Sequence, residues 1–589
     1  MSLLPVVLLS AIVLAIAYVT YGRFLARLLR LDPHKPTPAV ELNDGVDFEP
    51  IEPKFLLSQH FSAIAAAGPI VGPILAGVWF GWMPALIWIL IGCIFIGGVH
   101  DLTSLTASIR HKARSIAEVV RDHMTRRSYI LFLSFVWIAL VYIIVAFTDL
   151  TASAFIGRQE LENGEVVTGG GIATSSLMYL VLPIVMGLLL RYTKLSLNMA
   201  TVIFLPLVGV SIWAGQLLPF DLQSVMGSTP DNARRVWDVL LLVYCLIAGV
   251  VPVWMLLQPR GHLGGYFLYV ALAGGALGLM LGGEQIQYPA FNGLTGLNGQ
   301  SMVPMLFITI ACGACSGFHS LICSGTTSKQ LAKETDAKTI GYGAMLLEGM
   351  VAIVSLCCVM MLAKDAPVLL NAEGKLAPKP NLIYALGIGN FLEVLGISPK
   401  LGVSFALMAF TTFIYDTLDV CTRLGRYIIQ ELTGWHNRFG RWLGTALTAG
   451  APLFFLLQPG VDENGKALPP IWQAFWNLFG ASNQLLAALT LLGVTVWLWR
   501  TRSERWVWFV TGIPTVLMYV MSTWALISMT WPKFFDKAGS FTAPNEVVPW
   551  IGVVLLGLAA LMLVEAIAVL TGGRHSTPPQ TGEASAMPA

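Results

Sequence analysis

The chain has 589 residues, of which 56% are apolar and only 12% are charged. So little charge could not cover the surface of an ordinary soluble domain, and the composition therefore predicts a protein whose solvent is mainly lipid. The formal net charge of +2 gives no indication of nucleic-acid binding. A polytopic membrane protein is the class that remains.

Apolar runs of about 20 residues, the length that crosses a bilayer, recur along the whole chain. Solid runs indicate helices, because barrel strands would give shorter segments of alternating polarity. We predict an all-α polytopic membrane protein with about 15 transmembrane helices. The fifteen predicted spans are 3–22, 60–79, 83–109, 129–155, 172–190, 196–218, 238–258, 265–283, 302–326, 340–363, 400–422, 441–457, 473–498, 507–530 and 548–571.

Lys and Arg residues concentrate in every second loop, and such loops are typically cytoplasmic. Arg23, Arg27 and Arg30 follow the first span, and Arg260 is assigned to a later cytoplasmic loop. We therefore predict that the N-terminus lies outside and the C-terminus in the cytoplasm. The tail after Gly573 is rich in Pro, Thr and Ser and is predicted to be disordered.

Two spans contain Pro and Gly clusters that would interrupt a helix near its middle. The clusters are Gly68, Pro69, Gly72 and Pro73 in the second span, and Gly249, Pro252 and Pro259 in the seventh. Interrupted membrane helices are tolerated mainly where they line a cavity. The offset of five spans predicts an inverted repeat of units 60–218 and 238–422, with coincidental Pro kinks as the alternative.

The ninth and eleventh spans each present a polar face. In the ninth, helical spacing aligns Ser316, His319, Ser320, Cys323, Ser324 and Thr327; in the eleventh, it aligns Thr412, Tyr415, Asp416, Asp419, Thr422 and Arg423. Such a face either lines a substrate or ion path, or consists of hydroxyls that bond to carbonyls one turn back. Asp419 and Arg423 are also predicted to form an i, i+4 ion pair.

Ionisable side chains at membrane depth are costly and are therefore candidates for function. Asp101, preceded by His100, is the strongest predicted proton carrier, because a desolvated carboxyl can bind and release a proton. Further ion-coupling candidates are Asp149, Glu348 and Asp419. His60, at the entrance to the second span, is either a functional group or a satisfied polar contact. Cys312 and Cys315 are predicted to be packed small residues rather than a metal or redox pair.

Seven segments, which follow one another in the same order along most of the chain, resemble signature segments of the carbon starvation protein CstA family. They lie at 37–50 (TPAVELNDGVDFEP), 59–73 (QHFSAIAAAGPIVGP), 97–120, 250–263 (VVPVWMLLQPRGHL), 307–348, 419–432 and 478–489 (LFGASNQLLAAL). The chain departs from the family pattern at His100, where Gln is expected, and at Ser328, where Pro is expected. The segment 364–398 is also shorter than in larger relatives. These departures affect the expected substrate rather than the expected fold.

The resemblance implies a bacterial inner-membrane transporter with a LeuT-type 5+5 inverted-repeat core, one extra N-terminal helix and about four extra C-terminal helices. The implied parts are an N-terminal helix and linker (1–58), two repeats (59–219 and 236–432), accessory helices (440–573) and a tail (574–589). Relatives are associated with uptake of peptides, or of pyruvate with protons, and with carbon starvation. The second and seventh spans would be the broken helices of the core, and the ninth span its eighth helix.

We predict a symporter whose substrate lies between 68–72 and 251–254, where helix N-termini favour a carboxylate. The predicted substrate-binding residues are Gly68, Pro69, Gly72, Pro252, Trp254, Gln258, Ser316, His319 and Ser320. H⁺ is the predicted coupling ion, with no other cofactor. The alternative is Na⁺, which the family resemblance would place at Ala65, Gly68, Ser324 and Thr327. A channel and a membrane sensor are rival classes. The predicted partners are a small molecule and the bilayer, with no prediction of oligomeric state.

Overall fold

The computed structural model describes residues 2–572, apart from 45–47, 162, 253, 372, 436, 459–469, 503, 536–538 and 545. The predicted disordered tail therefore lies outside the described residues. The regular structure of the described chain is helical, except for an antiparallel hairpin of β1 (Arg158–Glu160) and β2 (Val166–Thr168). The predicted all-α membrane architecture is confirmed at this level.

The first part of the chain forms fourteen helices, and a π-helical stretch at Cys93–Gly97 joins the sixth to the seventh. They are α1 (Leu4–Val19), α2 (Tyr21–Leu28), α3 (Pro38–Glu41), α4 (Pro53–Ile64), α5 (Gly68–Phe80), α6 (Trp82–Gly92), α7 (Gly98–Arg110), α8 (Ile116–His123), α9 (Arg126–Ala154), α10 (Gly169–Tyr192), α11 (Leu197–Leu217), α12 (Leu222–Met226), α13 (Pro230–Val250) and α14 (Leu257–Gly282).

The second part forms nine helices, with π-helical stretches at Lys338–Gly343 and Trp508–Gly512 that lead into two of them. They are α15 (Met302–Thr309), α16 (Phe318–Gly325), α17 (Ala344–Met360), α18 (Pro380–Glu393), α19 (Pro399–Thr433), α20 (Arg438–Leu456), α21 (Ile471–Thr501), α22 (Ile513–Thr530) and α23 (Val547–Thr571).

Hydroxyl side chains cap the N-termini of several long helices. Thr125 accepts a hydrogen bond from Ser128 N–H at the start of α9, and Thr168 accepts one from Gly171 N–H at the start of α10. Ser196 and Thr229 cap α11 and α13 in the same way. Each cap satisfies a backbone donor that has no partner inside its helix, and so fixes where the helix begins.

Among the described residues, 11 helices are long and apolar enough to cross a membrane, or 12 if the bent pair α4–α5 is one span. The predicted count of fifteen is therefore not confirmed. The three predicted spans outside this set fall on α13, on the short helices α15 and α16, and on α20. The first of these contains four charged residues in its first half, and the second is interrupted.

The second predicted span is broken as expected. Helix α4 ends at Ile64, α5 begins at Gly68, and the two are bent by 48°. Ala65 leaves the helical region of the backbone, and Pro69 occupies the first turn of α5, where its missing N–H costs nothing.

The prediction that the seventh span is broken in mid-membrane is wrong. Helix α13 begins at Pro230, eight residues before the predicted start. It is 21 residues long and ends at Val250. At 1.5 Å per residue this is about 30 Å, a full bilayer core. The Pro252 segment therefore connects two full-length helices, α13 and α14, and does not divide one.

The second internal break instead lies in the predicted ninth span. That span was expected to be one continuous helix, but α15 ends at Thr309 and α16 begins at Phe318. The intervening sequence IACGACSG is built of small residues that let neighbouring backbones approach closely. The six polar residues predicted to share one face are consequently divided: Ser316 lies in the break, and Thr327 lies in a 3₁₀ turn after α16 ends.

Candidate functional site

The two breaks face each other inside the bundle. A Cβ atom added to Gly68 would overlap the side chain of Cys312, and one added to Gly72 would overlap the carbonyl oxygen of Thr309. Glycine is therefore required here for close approach of the two backbones. The predicted pairing of 68–72 with 251–254 is therefore wrong, because the stretch that approaches Gly68 and Gly72 contains Thr309 and Cys312.

Asn483 of α21 supplies hydrogen bonds that the unwound segment 310–317 cannot make internally. Its backbone carbonyl accepts from Gly317 N–H (3.1 Å), and its Oδ1 accepts from Phe318 N–H (2.9 Å). Its Nδ2 donates to Ser316 Oγ (3.0 Å). Helix α21 is buried over its most apolar stretch. This helix, predicted as an accessory element, is therefore part of the wall that holds the break.

A buried array of two carboxyls and an imidazole lies beside the α15–α16 break. His319 Nδ1 is 2.8 Å from Asp101 Oδ2, and His319 Nε2 is 3.1 Å from Glu348 Oε2. All three side chains are 0% exposed. His100 Nδ1 lies 2.7 Å from the other oxygen of Asp101. The array thus joins α7, α16 and α17, and combines Asp101 and Glu348, predicted for coupling, with His319, predicted for substrate.

The charge of this array depends on one proton. With both carboxyls ionised and His319 doubly protonated, the three groups carry a net charge of −1. One added proton makes the array neutral, which is the cheaper state for groups shielded from water. Neither oxygen of Glu348 has a hydrogen bond of good geometry, although its Oε2 is within ion-pair distance of His319. A small rotation of either side chain would align a hydrogen bond across the 3.1 Å between His319 Nε2 and Glu348 Oε2.

A crevice runs along α4, α14, α16 and α19, next to the array. One part of the crevice is lined by Leu56, Gln59, His60, Ala63, Leu257, Gly261, Ile322, Thr326, Thr327, Asp416 and Val420. The second part is lined by Gln59, Leu257, Gln258, Gly325, Thr326, Lys329, Gln330, Val420, Arg423, Leu424 and Tyr427. Four shared residues make the two parts continuous. Lys329 and Arg423 give the second part a positive charge.

His60 is a buried polar group in the lining of the crevice. Its Nδ1 lies 2.8 Å from Thr327 Oγ1, and its buried Nε2 has no hydrogen-bond partner within the described part of the chain. The hydroxyl of Thr327, predicted as a sodium ligand, is therefore engaged by His60. The other predicted hydroxyl ligand, Ser324, donates to Ser320 O at 2.7 Å. Ser320 in turn donates to Gly317 O at 2.7 Å, so these two serines show the back-bonding named as the alternative.

A second buried ionic cluster surrounds Arg260, which is 0% exposed. Its Nε donates to Asp416 Oδ1 (2.6 Å), and its Nη2 lies 2.5 Å from Asp419 Oδ2. Tyr244 hydroxyl accepts from Nη1 of Arg260 and donates to Asp419 (3.0 Å). The other oxygen of Asp416 accepts from Ser62 Oγ (2.6 Å). Arg260 was predicted to lie in a cytoplasmic loop. It is instead the centre of a buried ionic network.

The predicted Asp419–Arg423 pair is also wrong. Arg423 Nη2 donates to the carbonyls of Ala248 (2.9 Å) and Val251 (2.7 Å) at the end of α13. The carbonyls at a helix C-terminus attract a cation, so they take the guanidinium. Asp419 meets Arg260 instead, because α14 begins early enough to bring that arginine inside the bundle.

The remaining predicted residues lie outside the array. Pro252 is exposed, and Trp254 packs edge-on against Tyr192, beside Arg191. This places both near the end of α10, away from the contacts of Gly68 and Gly72. Asp149 lies at another end of the bundle, where its Oδ2 accepts from Trp472 N–H (2.8 Å) and its Oδ1 is 3.3 Å from Arg234 Nε.

Four components of polar clusters were not predicted from the sequence: Arg260, Tyr244, Asn483 and Asp238. A signal existed for the first: Asp416 and Asp419 at membrane depth require a cation, and Arg260 stands two residues after the predicted span 238–258. Asn483 lies in LFGASNQLLAAL, a segment quoted for the family resemblance. Asp238 stood at the predicted start of a span, where a charge is unremarkable.

A model of the carbon starvation protein CstA family matches residues 2–381 and 374–525. The chain is 31% identical over 587 residues to the peptide transporter CstA of Helicobacter pylori, with 90% of this chain and 82% of that protein covered. It is 30% identical over 604 residues to the pyruvate/proton symporter BtsT of Escherichia coli, with 89% and 81% covered. It is 29% identical over 616 residues to the peptide transporter CstA of Bacillus subtilis, with 96% and 97% covered.

Two solved structures give weaker similarities. A manganese transporter of Eremococcus coleocola superposes with a TM-score of 0.43 at 13% identity, covering 90% of this chain and 98% of that chain. MhsT in complex with L-phenylalanine superposes with a TM-score of 0.41 at 12% identity, covering 88% and 97%. Neither similarity supports an inference about this chain.

Proposed function

Because this chain belongs to the carbon starvation protein CstA family, we propose that it is a symporter that imports a small organic nutrient, such as pyruvate or a short peptide, together with a proton. That it is a multi-pass membrane transporter of bacterial type follows from the family and from its apolar helices. The nature of the substrate and of the coupling ion is the proposal.

The Asp101–His319–Glu348 array is the observation that carries the proposal. Two carboxyls on opposite nitrogens of one imidazole form a group whose net charge changes by one with each proton. Because the group is buried, the charged form destabilises its surroundings and the neutral form does not. Proton binding therefore changes how firmly α7, α16 and α17 are held together.

The short helix α16 links the proposed proton-binding array to the proposed substrate crevice. His319 lies on α16, and the turn after α16 carries Thr327, whose hydroxyl meets His60 in the crevice. A change in how the array holds α16 is thus transmitted over about two helical turns to the crevice. We place the substrate in this crevice, where Lys329 and Arg423 favour a carboxylate.

The test is uptake by purified full-length protein in liposomes, with proton and sodium gradients imposed separately and a panel of radiolabelled pyruvate, lactate, alanine and dipeptides. We expect an inward proton gradient to drive accumulation of at least one of these solutes. Asp101→Asn and Glu348→Gln should abolish accumulation and retain counterflow, because exchange of bound substrate needs no net proton movement. The exposed Glu373→Gln is the matched control and should transport like the wild type.

Accumulation driven by sodium and not by protons would contradict the proposed coupling and favour the alternative site at Ala65, Gly68, Ser324 and Thr327. Flux that does not saturate, with no counterflow, would contradict symport and favour a channel. Wild-type accumulation in both array variants would remove Asp101 and Glu348 from the coupling role.

A further inference from the structure

A group of charged residues lies at the N-terminal half of α13, distant from the array and from the crevice. Asp149 comes from the last turns of α9, and the others come from α13 itself: Asp231, Arg234, Arg235 and Asp238. The exposed fraction of the side chain falls from 42% at Asp231 to 13% at Arg234 and to 0% at Asp149. The group therefore leads from the surface to two buried carboxyls.

Four of the five members have partners of opposite charge or backbone donors. Arg234 Nη2 donates to Asp231 Oδ1 (2.7 Å), and Arg235 Nη2 lies 3.1 Å from Asp231 Oδ2. Arg234 Nε also faces Asp149 (3.3 Å), which in addition accepts from the backbone of Trp472. Both guanidiniums and both of these carboxylates thus have a partner of opposite charge, although Nε of each arginine and Oδ1 of Asp149 make no hydrogen bond with the described residues.

Asp238 differs from the rest. It is 1% exposed, and neither of its carboxyl oxygens has a hydrogen-bond partner among the described residues. An ionised carboxyl that is shielded from water and receives no donor is strongly disfavoured, and such a group remains neutral by holding a proton. The groups that face it are Asp149 from α9, and Asp231, Arg234 and Arg235 from its own helix.

A charge count gives the same result independently. The group contains three carboxyls and two guanidiniums. With Asp149 and Asp231 ionised against Arg234 and Arg235, the net charge is zero only if Asp238 carries a proton. The neighbouring Asp149 carboxylate repels a second negative charge at Asp238.

We propose that Asp238 is a proton-binding site at this end of the bundle, which the Lys and Arg pattern predicts to be the outer one. In this conformation Asp238 holds a proton. A rearrangement that turns the Arg234 guanidinium from Asp149 toward Asp238 would supply the missing donors and release that proton. Binding of the proton does not depend on the cargo, whereas its use in transport rests on the proposed proton symport.

Infrared difference spectroscopy of the full-length protein in lipid bilayers tests the site directly, because a protonated carboxyl has its own C=O stretching band. We expect a carboxylic-acid band near neutral pH that loses one component in Asp238→Asn and is unaltered in Glu373→Gln, whose side chain is exposed. The band should persist when sodium replaces potassium. Persistence of the full band in Asp238→Asn, or loss of the same component in Glu373→Gln, would overturn the assignment.

Proton-driven uptake by the same samples separates the two proposals. If Asp238 takes part in coupling, Asp238→Asn loses accumulation and retains counterflow, while the exposed Glu373→Gln retains both. Loss of the band with unaltered accumulation would overturn the coupling role of Asp238. A wild-type protein that shows the band but is not driven by protons would contradict the proposed function and leave the proton site intact. Asparagine has the size of aspartate, and gel filtration of each variant verifies that it is folded.

Discussion

At the scale of single residues, Arg260 is the position where one substitution should cost most. Its guanidinium is wholly buried and is shared by two carboxylates and a tyrosine. We expect Arg260→Met to destabilise the protein by about 3–5 kcal/mol, because it leaves Asp416 and Asp419 buried without a cation. Thermal unfolding in detergent, followed by intrinsic fluorescence, measures this loss.

Arg260→Lys provides the graded comparison. A lysine retains the charge but cannot reach both carboxylates with a planar fork, so we expect a loss of stability smaller than that of Arg260→Met. The triple change Arg260→Met, Asp416→Leu, Asp419→Leu removes the uncompensated charges and should recover part of the stability lost in the single variant. Equal stability of Arg260→Met and the wild type would show that the cluster is not ionic in the membrane.

A pair of histidines outside the spans predicts a pH dependence of stability. His111 Nδ1–H donates to the carbonyl of Ala107 (2.6 Å), so neutral His111 presents a bare Nε2, which accepts from His123 Nε2–H (2.9 Å). Burial is the main cause that lowers the pKa of His123 to about 4, with His111 adding to it. Burial also lowers the pKa of His111. Both rings are therefore neutral near pH 7.

These lowered pKa values determine whether stability rises or falls on acidification. Between pH 6.5 and about 4 the unfolded chain binds protons that the folded pair does not, so the folded state loses stability as the pH falls through this window. Asp122, Arg110, Arg114 and Arg500 are the charged groups that modify the pair.

We expect His123→Gln, which retains a donor toward His111, to reduce the fall in the unfolding temperature on acidification. The exposed His34→Gln should leave that fall unaltered. Differential scanning fluorimetry from pH 7 to pH 5 measures both. An identical pH profile in His123→Gln and in the wild type would contradict the assignment.

At the scale of elements, the close packing of α5 against the end of α15 depends on the absence of a side chain at Gly72. A Cβ on Gly72 would overlap the backbone carbonyl of Thr309, which cannot rotate away. We expect Gly72→Ala to destabilise the protein by about 1–3 kcal/mol, as overpacking does elsewhere, and to reduce uptake. Thermal unfolding and liposome uptake measure the two effects.

Gly209→Ala is the matched control. Gly209 lies inside α11, and a Cβ there meets nothing within 4 Å. The same substitution should therefore be neutral or stabilise by about 0.5–1 kcal/mol, because alanine favours a helix. Similar losses in both variants would contradict a specific close approach at Gly72.

A helix could be predicted from the sequence where its own residues satisfy the hydrogen bonds of its backbone. Helix α9 was expected at 129–155 and is found at Arg126–Ala154, because an uninterrupted apolar run satisfies itself. The start of α13 was missed because Asp231, Arg234 and Arg235 give its first turns the composition of a loop. The break at 310–317 was missed because its donors are satisfied by Asn483, from a distant part of the chain.

The candidate site was predictable residue by residue but not as a constellation. Asp101, His319 and Glu348 each stood out as ionisable groups in apolar surroundings, and that expectation needs only the cost of burying charge. That one imidazole would lie between the two carboxyls depends on the packing of α7, α16 and α17, which no local pattern encodes. Arg260 illustrates the reverse error, since hydropathy assigns every arginine to the surface.

At the scale of the whole molecule, the orientation of the chain stays a prediction that cysteine labelling can decide. All eight native cysteines are buried, so they should give little background with a membrane-impermeant maleimide. We expect Glu373→Cys to react in intact cells and His34→Cys to react only after permeabilisation, because the Lys and Arg pattern places 23–58 inside and 364–398 outside. The opposite result would invert the predicted topology.

The bonds from Asn483 also bear on the order in which the protein matures. A ribosome synthesises Phe318 165 residues before Asn483, so the amide of Phe318 has no permanent acceptor until α21 has entered the bilayer. A nascent chain that stops before Ile471 would therefore contain every residue of the array yet lack the asparagine that closes the break. Such a fragment should be a substrate for membrane quality control and degradation.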